Sequence, residues 1–408
     1  MSELISRLSI LERPDTIIKT AWTTKRIGDV AKTQYGLSEP MNQEGKGYKI
    51  FRMGEVQGGR LIDTGVMKYA DIDQQEFSQY KLQKNDILFN RTNSFELVGK
   101  TGLFDLDGDY CFASYLVRLK LDHQTLIPEF LNYLMNSAPF QASVKSKASQ
   151  SINQANINAT ILSNEEISFP ISLQEQRRIV TTLDEVLGAI AIAKANAEVN
   201  LRNTLALFAG ELNFLLTSNT ASWNEKAISD VCRIINGRAY KQQELLSAGK
   251  YPVLRVGNFF TNKHWYYSDL ELDDDKYCDG GDLLYAWSAS FGPRIWTGGK
   301  VIYHYHIWKV IPDVTLIERD FLRWFFEWDV EQIKSAQGTG TTMMHVGKGS
   351  MDARVILVPD LATQRRIVTA IQKAERHRDD LMNLYERKLS ALEELKQSLL
   401  SKAFSGNL

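Results

Sequence analysis

The sequence predicts a mixed α/β protein written twice. Two globular blocks are each followed by a long helix, and the two helices pair as an intramolecular antiparallel coiled coil, giving a pseudo-twofold internal repeat. Three observations carry this. The hexamer Gln176-Arg177-Arg178-Ile179-Val180-Thr181 returns as Gln364-Arg365-Arg366-Ile367-Val368-Thr369, 188 positions later. Each copy opens a stretch whose apolar residues fall at helical spacing. Each is preceded by a block of short β-branched or aromatic runs with few helices. A repeat of this size governs how every other feature is read.

Residues 1–20 form an N-terminal segment in which Glu3, Arg7, Glu12, Arg13 and Asp15 interrupt any apolar signal core. The first block, residues 21–172, opens with Trp22 and Ile27-Gly28-Asp29-Val30. It continues through Tyr48-Lys49-Ile50-Phe51-Arg52-Met53-Gly54 and Asn85-Asp86-Ile87-Leu88-Phe89, and reaches a short amphipathic helix at Phe130-Leu131-Asn132-Tyr133-Leu134. The second block, residues 218–360, repeats these in order. Its versions are Trp223 with Ile228-Ser229-Asp230-Val231, Tyr251-Pro252-Val253-Leu254-Arg255-Val256-Gly257, Gly281-Asp282-Leu283-Leu284-Tyr285 and Phe321-Leu322-Arg323-Trp324-Phe325.

The central helix, residues 173–217, follows Pro170 with Ser172 as N-cap and Glu175 three residues later, a capping-box pattern. Its stripe runs Ile179, Leu183, Val186, Ile190, Ala193, Ala197, then after a stutter Leu201, Leu205, Phe208, Leu212 and Leu215. The C-terminal helix, residues 361–408, follows Pro359 with Asp360 as cap and places Ile367, Ile371, Ala374, Leu381, Leu392 and Leu399 on a comparable stripe, with Arg378 as a polar interruption. At 1.5 Å per residue each would span about 60 to 70 Å, a length that calls for a partner. Gly188 and Gly210 disfavour helix by about 1 kcal/mol each, so a close crossing or a helix end is expected there.

The chain has 408 residues, 44% of them hydrophobic and 24% charged, enough for two cores. A net charge of -1 argues against coating nucleic acid by bulk charge, so any such role rests on where charge is placed. Cys111, Cys232 and Cys278 lie far apart, without the spacing of a disulfide framework or zinc site, and a reducing, cytoplasmic compartment is expected. No run of 18 apolar residues suggests a membrane span.

Catalytic signatures are missing. Val98-Gly99-Lys100-Thr101 lacks the first glycine of a phosphate loop, because position 94 is Ser94. There is no Asn-Pro-Pro-aromatic tetrapeptide and no glycine-rich S-adenosylmethionine loop. His304 and His306 sit two apart on an expected strand with no supporting carboxylate or thiolate, and a structural role is the expectation. Asp86 and Asp282 read as turn residues. A non-catalytic coiled-coil scaffold with two protein- or ligand-binding domains remains one reading of these features.

The duplicated Trp-x4-Ile-x-Asp-Val openings, the Asp-Ile/Leu-Leu-Phe/Tyr strands and the Gln-Arg-Arg-Ile-Val helix openings, in this order, resemble the specificity subunit of Type I restriction-modification enzymes. The ending Phe404-Ser405-Gly406-Asn407-Leu408 is similar to the family's Phe-x-Gly-Glu-Leu, with Asn407 where Glu is usual. The resemblance implies that each block is a target recognition domain reading one half of an asymmetric bipartite site in double-stranded DNA. It implies that the helices set the spacer and dock two modification (methyltransferase) subunits, with restriction/translocase subunits joining them. No cofactor is expected in this chain; S-adenosylmethionine, ATP and Mg are implied for the partner subunits.

Candidate DNA contacts follow from the match. In the first block they are Arg52, the loop Asn90, Arg91, Thr92, Asn93 and Ser94, Lys100, and the acid-free loop carrying Lys145, Lys147, Gln150 and Asn153. Arg91 suits guanine O6/N7 or a phosphate, and Asn93 suits adenine N6/N7. In the second block they are Arg255, Trp287, Ser288, Ser290, Arg294, Thr339, Thr341, Thr342, His345 and Lys348. Trp324, Phe325, Phe326 and Trp328 read as core. The candidate docking residues are Gln176, Arg177, Arg178, Gln364, Arg365 and Arg366.

Overall fold

The computed structural model describes residues 21–151, 154–288, 291–337 and 346–405. The chain divides into two compact units, Met1–Glu198 with Glu386–Leu408, and Val199–Tyr385. Each unit therefore takes its helical part from both long helices.

In the first unit, strand Trp22–Arg26 pairs antiparallel with Glu166–Pro170, so the block's first and last strands close on each other. Asp29 caps the turn that follows by accepting from Arg26 N. A six-stranded sheet runs Ala31–Tyr35, Leu116–Leu121, Ile87–Asn90, Thr101–Leu103, Arg60–Leu61, Val56–Gln57. Beside it lies a four-stranded sheet in which Tyr110–Phe112 runs parallel to Tyr48–Phe51. The core gathers Ile87, Phe89, Val117, Leu119 and Phe130 and is completed by Ile179 and Leu183 of the central helix and Leu400 and Ala403 of the C-terminal helix. Phe404 packs edge-on against Phe130.

The second unit repeats the plan, with fewer strands among the described residues. Asn224–Ala227 pairs with Val355–Val358, and Asp230 caps Ala227 N. One sheet orders Cys232–Asn236, Ile307–Pro312, Leu283–Ala286, Gly292–Ile295; in the other, Val301–Tyr303 runs parallel to Tyr251–Leu254. Here the core is completed by Leu212 and Leu216 of the central helix and by Ile367, Val368 and Ile371 of the C-terminal helix. Trp324, Phe325 and Phe326 are buried, and Trp328 packs against this core, as expected. The expected short helix at Phe321 is instead a 19-residue helix, Arg319–Gln337, whereas its first-block counterpart stops at Met135 and restarts at Ala138.

The central helix spans Leu173–Thr217 and the C-terminal helix Leu361–Phe404. Their openings differ. Asp360 accepts from Thr363 N and Oγ1, a full side-chain cap. Ser172 accepts a long 3.4 Å bond from Glu175 N, while the Glu175 carboxylate is turned to Arg178. Antiparallel pairing is visible within each unit. Val186 and Ile190 pack with Leu392 and Leu399 beside a Lys194–Glu393 bridge in the first. In the second, Arg378 lies over the Phe208 ring at 4.3 Å, so the polar interruption covers an apolar partner.

Two expectations about the helices fail. Leu205 and Leu381 are exposed (47% and 37%), and Thr204 is buried beside the former. Gly188 and Gly210 mark neither a crossing nor an end, since a Cβ on either would meet nothing within 4 Å and the helix runs through both. Among the described residues, no helix is long and apolar enough to cross a membrane. The three cysteines are free and buried, and burial pushes the Cys111 and Cys232 thiols up to about 12.

Candidate functional site

One backbone frame occurs in both blocks. In the first, Gly36 N donates to Leu116 O, Leu37 N to Phe112 O, Ser114 N to Leu37 O, Arg91 N to Tyr115 O and Ile157 N to Arg91 O. In the second, Gly237 N donates to Ile307 O, Arg238 N to Tyr303 O, Tyr305 N to Arg238 O, Trp287 N to His306 O and Val346 N to Trp287 O. The frame needs glycine at one point. A Cβ on Gly36 would lie 2.4 Å from the Phe112 and Ala113 oxygens, and one on Gly237 2.4 Å from those of Tyr303 and His304. Matching bond for bond, Arg91 occupies the place of Trp287, Ser114 that of Tyr305, and Tyr115 that of His306.

The first block's two candidate loops meet. Thr92–Asn93 pairs with Gln154–Asn156, which pairs with Ser149–Ser151, so segments some 60 residues apart form one three-stranded sheet. Arg91 lies at its edge, half-buried, its guanidinium 4.9 Å from the Tyr35 ring centroid. Its Nη1 donates to Ser114 O at 3.3 Å and its Nη2 to Asn156 Oδ1 at 3.4 Å, both at the long limit of useful bonds. Asn156 Nδ2 donates to Thr92 Oγ1. Ser149, Gln150, Ser151 and Gln154 stand exposed on this sheet, as does Lys100 near it in sequence. Asn93 and Ser94 are half-buried, and Asn93 Oδ1 accepts from Ser94 N.

Other first-block expectations are corrected. Asn90, the last residue of strand Ile87–Asn90, and Thr92, the first of strand Thr92–Asn93, are buried. Arg52 is bound by Glu55 at 2.5 Å, a structural ion pair that holds the turn at Met53. The loop around Lys147 has no acid of its own, yet Lys147 pairs with the buried carboxylate of Glu165. Lys145 donates to Glu96 O, and burial draws its ammonium below the usual lysine range.

In the second block, Trp287 stacks on Trp308 and donates its indole N–H to Tyr305 O at 2.7 Å. The Tyr305 and His306 rings lie against it, at 5.9 and 4.9 Å. Tyr305 is exposed. His304 and His306 lie on the turn after strand Val301–Tyr303, not on a strand, and among the described residues no group of three or more His, Cys, Asp or Glu could hold a metal. Burial first, then His306 and Arg255, hold His304 down to about 4.

Ser288 is buried, which corrects its placement among the contacts. Arg255 packs over Tyr266. Arg294 packs over Phe259 and Phe260 and donates to Phe259 O, and Lys348 pairs with Asp352. Asn153, Ser290, Thr339, Thr341, Thr342 and His345 lie outside the described residues. Ser114, Tyr115, Tyr305 and His306, which share this frame, were not among the residues singled out from the sequence. The signal for them was the repeat itself, extended one turn past the buried strand.

At the helix roots, the glutamines of the hexamer are buried and cannot dock a partner. Gln176 Nε2 donates to Thr125 O and Pro170 O, and its Oε1 accepts from Ile127 N. Gln364 repeats all three, to Leu316 O, Pro359 O and from Glu318 N. Each amide thus locks its helix to its own block. The arginines beside them are exposed: Arg177, Arg178 paired with Glu175, Arg365 paired with Glu318, and Arg366 bonded to Thr363.

The chain matches the family model described as the Type I restriction modification DNA specificity domain twice, over residues 19–201 and 221–391. A Methanocaldococcus jannaschii protein named as the MjaX type I restriction enzyme specificity subunit is 22% identical, covering 95% of this chain and 93% of its own. The EcoKI specificity subunit of Escherichia coli is 26% identical over 48% of this chain and 43% of its own. A structure solved for complex assembly and conformational transition of the type I R-M system aligns with a TM-score of 0.79 at 18% identity, covering 95% of this chain and 98% of that one. The HsdS subunit from Thermoanaerobacter tengcongensis aligns at 0.59 and 17%, covering 95% and 97%. At these identities the two structures show the fold.

Proposed function

The chain belongs to the Type I restriction-modification DNA specificity family, and on that premise we propose that its two blocks each read one half of an asymmetric, bipartite DNA site. The central observation is the shared backbone frame that carries unlike side chains, Arg91, Ser114 and Tyr115 in one block and Trp287, Tyr305 and His306 in the other. A frame kept while its side chains diverge is what reading two unlike half-sites requires. Phosphate contacts fix register and base-edge contacts carry sequence.

In this reading Asn93, Ser94, Lys100, Gln150 and the exposed strand Ser149–Ser151 line the first DNA-facing surface together with Arg91. Arg177, Arg178, Arg365 and Arg366 form two like seats for two modification subunits, and the paired helices set the gap between half-sites. Catalysis, S-adenosylmethionine and the ATP-driven steps belong to the partner subunits.

The test is a gel shift with the purified chain assembled with its modification subunit. It is expected to retain one duplex sequence over shuffled competitors at moderate salt. Equal retention of all duplexes, or none, would sink the reading in favour of a scaffold for other ligands.

A further inference from the structure

Resting on that reading, we infer that the turns Ala113–Tyr115 and His304–His306 are specificity-determining and make the two blocks read by different chemistry. The first block reads a hydrogen-bonding base edge, and the second reads the apolar 5-methyl edge of thymine. Both turns sit at the same place on the shared frame, each accepting the backbone N–H of the position held by Arg91 or Trp287.

At Arg91 the guanidinium lies over the Tyr35 ring, and its Nη2 reaches Asn156 Oδ1 only through a long 3.4 Å bond. Its two side-chain bonds are long, so moving them onto a base gives up little. A planar fork held this way suits the O6/N7 pair of guanine. Tyr115, exposed beside it, bounds the site.

At the matching position the second block carries Trp287, which has no such fork. The only hydrogen-bond donor of the Trp287 side chain is spent on Tyr305 O, so its ring presents faces. Trp308 stacks beneath it, and Tyr305 and His306 close around it, which gives an aromatic surface whose exposed member is Tyr305. In the major groove the apolar landmark is the thymine methyl. Burial keeps the adjoining His304 neutral at pH 7, so the surface does not gain a charge there that would favour phosphate instead.

The experiment uses the assembled complex and duplexes of its methylated site, with thymines replaced singly by deoxyuridine and guanines by 7-deazaguanine. One deoxyuridine in one half-site is expected to weaken binding roughly fourfold, the worth of one methyl. That dependence should disappear in Tyr305→Ala and persist in Tyr305→Phe, which keeps the ring. One 7-deazaguanine in the other half-site is expected to weaken binding about tenfold or more, and Arg91→Ala should abolish that dependence. Analogue effects unchanged by these variants, or both dependences falling in one half-site, would overturn the inference while leaving the proposed function standing. A wild-type complex with no sequence preference would sink the proposed function itself.

Discussion

Asp86, just before strand Ile87–Asn90, forms a buried pair with Arg118, and Asp282 and Lys309 repeat it in the second block. Both aspartates also accept from a backbone N–H three residues back, Gln83 N and Asp279 N, which is the turn role their sequence suggested. Asn85 and Gly281, just before them, take positive φ, a conformation those residue types tolerate. Arg118 is almost fully enclosed and donates to Lys81 O and Gln79 O besides Asp86. Removing it leaves a buried carboxylate unpaired, so Arg118→Ala should destabilise by about 3 to 5 kcal/mol. Lys309→Ala, at a more open pair, should lose clearly less, and urea unfolding of both variants checks the order. His304 gives a second prediction. Its folded pKa lies below its ordinary value of 6.5, so the folded chain binds fewer protons than the unfolded one between about pH 4 and 6.5. Its contribution is complete above pH 6.5 and is lost as pH falls toward 4. In His304→Gln the melting temperature should fall less steeply over that window; an identical slope would contradict this.

The elements show which features local rules could reveal. Caps and turn pairs were legible because they depend on residues three or four apart, as Asp360 with Thr363 and Asp86 with Gln83 illustrate. The roles of Gln176 and Gln364 were not legible, because a polar side chain at a helix start reads as surface until its three backbone partners fold around it. The sheet that joins Thr92–Asn93 to Gln154–Asn156 was equally hidden, since periodicity says nothing about which distant strand pairs. The heptad stripe misplaced Leu205 and Leu381 for a related reason, that the drift of the helix is decided by its packing. Gly188 and Gly210 now have a different prediction. With open space at each Cβ and helical backbone around them, Gly188→Ala and Gly210→Ala should each stabilise by up to about 1 kcal/mol. A fall in thermal midpoint would mean the glycines serve an assembly contact.

At the scale of the molecule, each long helix is shared between the two compact units. The central helix opens in the core of the first block and ends in that of the second; the C-terminal helix opens in the second and ends in the first. Both blocks are therefore tied to both helices by buried residues, and by a glutamine lock at each root. On the proposed reading, helix length is the property expected to set the DNA gap. The two helices are of nearly equal length, 45 residues in Leu173–Thr217 and 44 in Leu361–Phe404. The most direct test is to map methylated adenines genome-wide in a strain carrying this chain with its modification subunit. One chain-dependent motif is expected, two unlike half-sites at a fixed gap with a modified adenine in each. A continuous or palindromic motif, or no motif that depends on this chain, would contradict it.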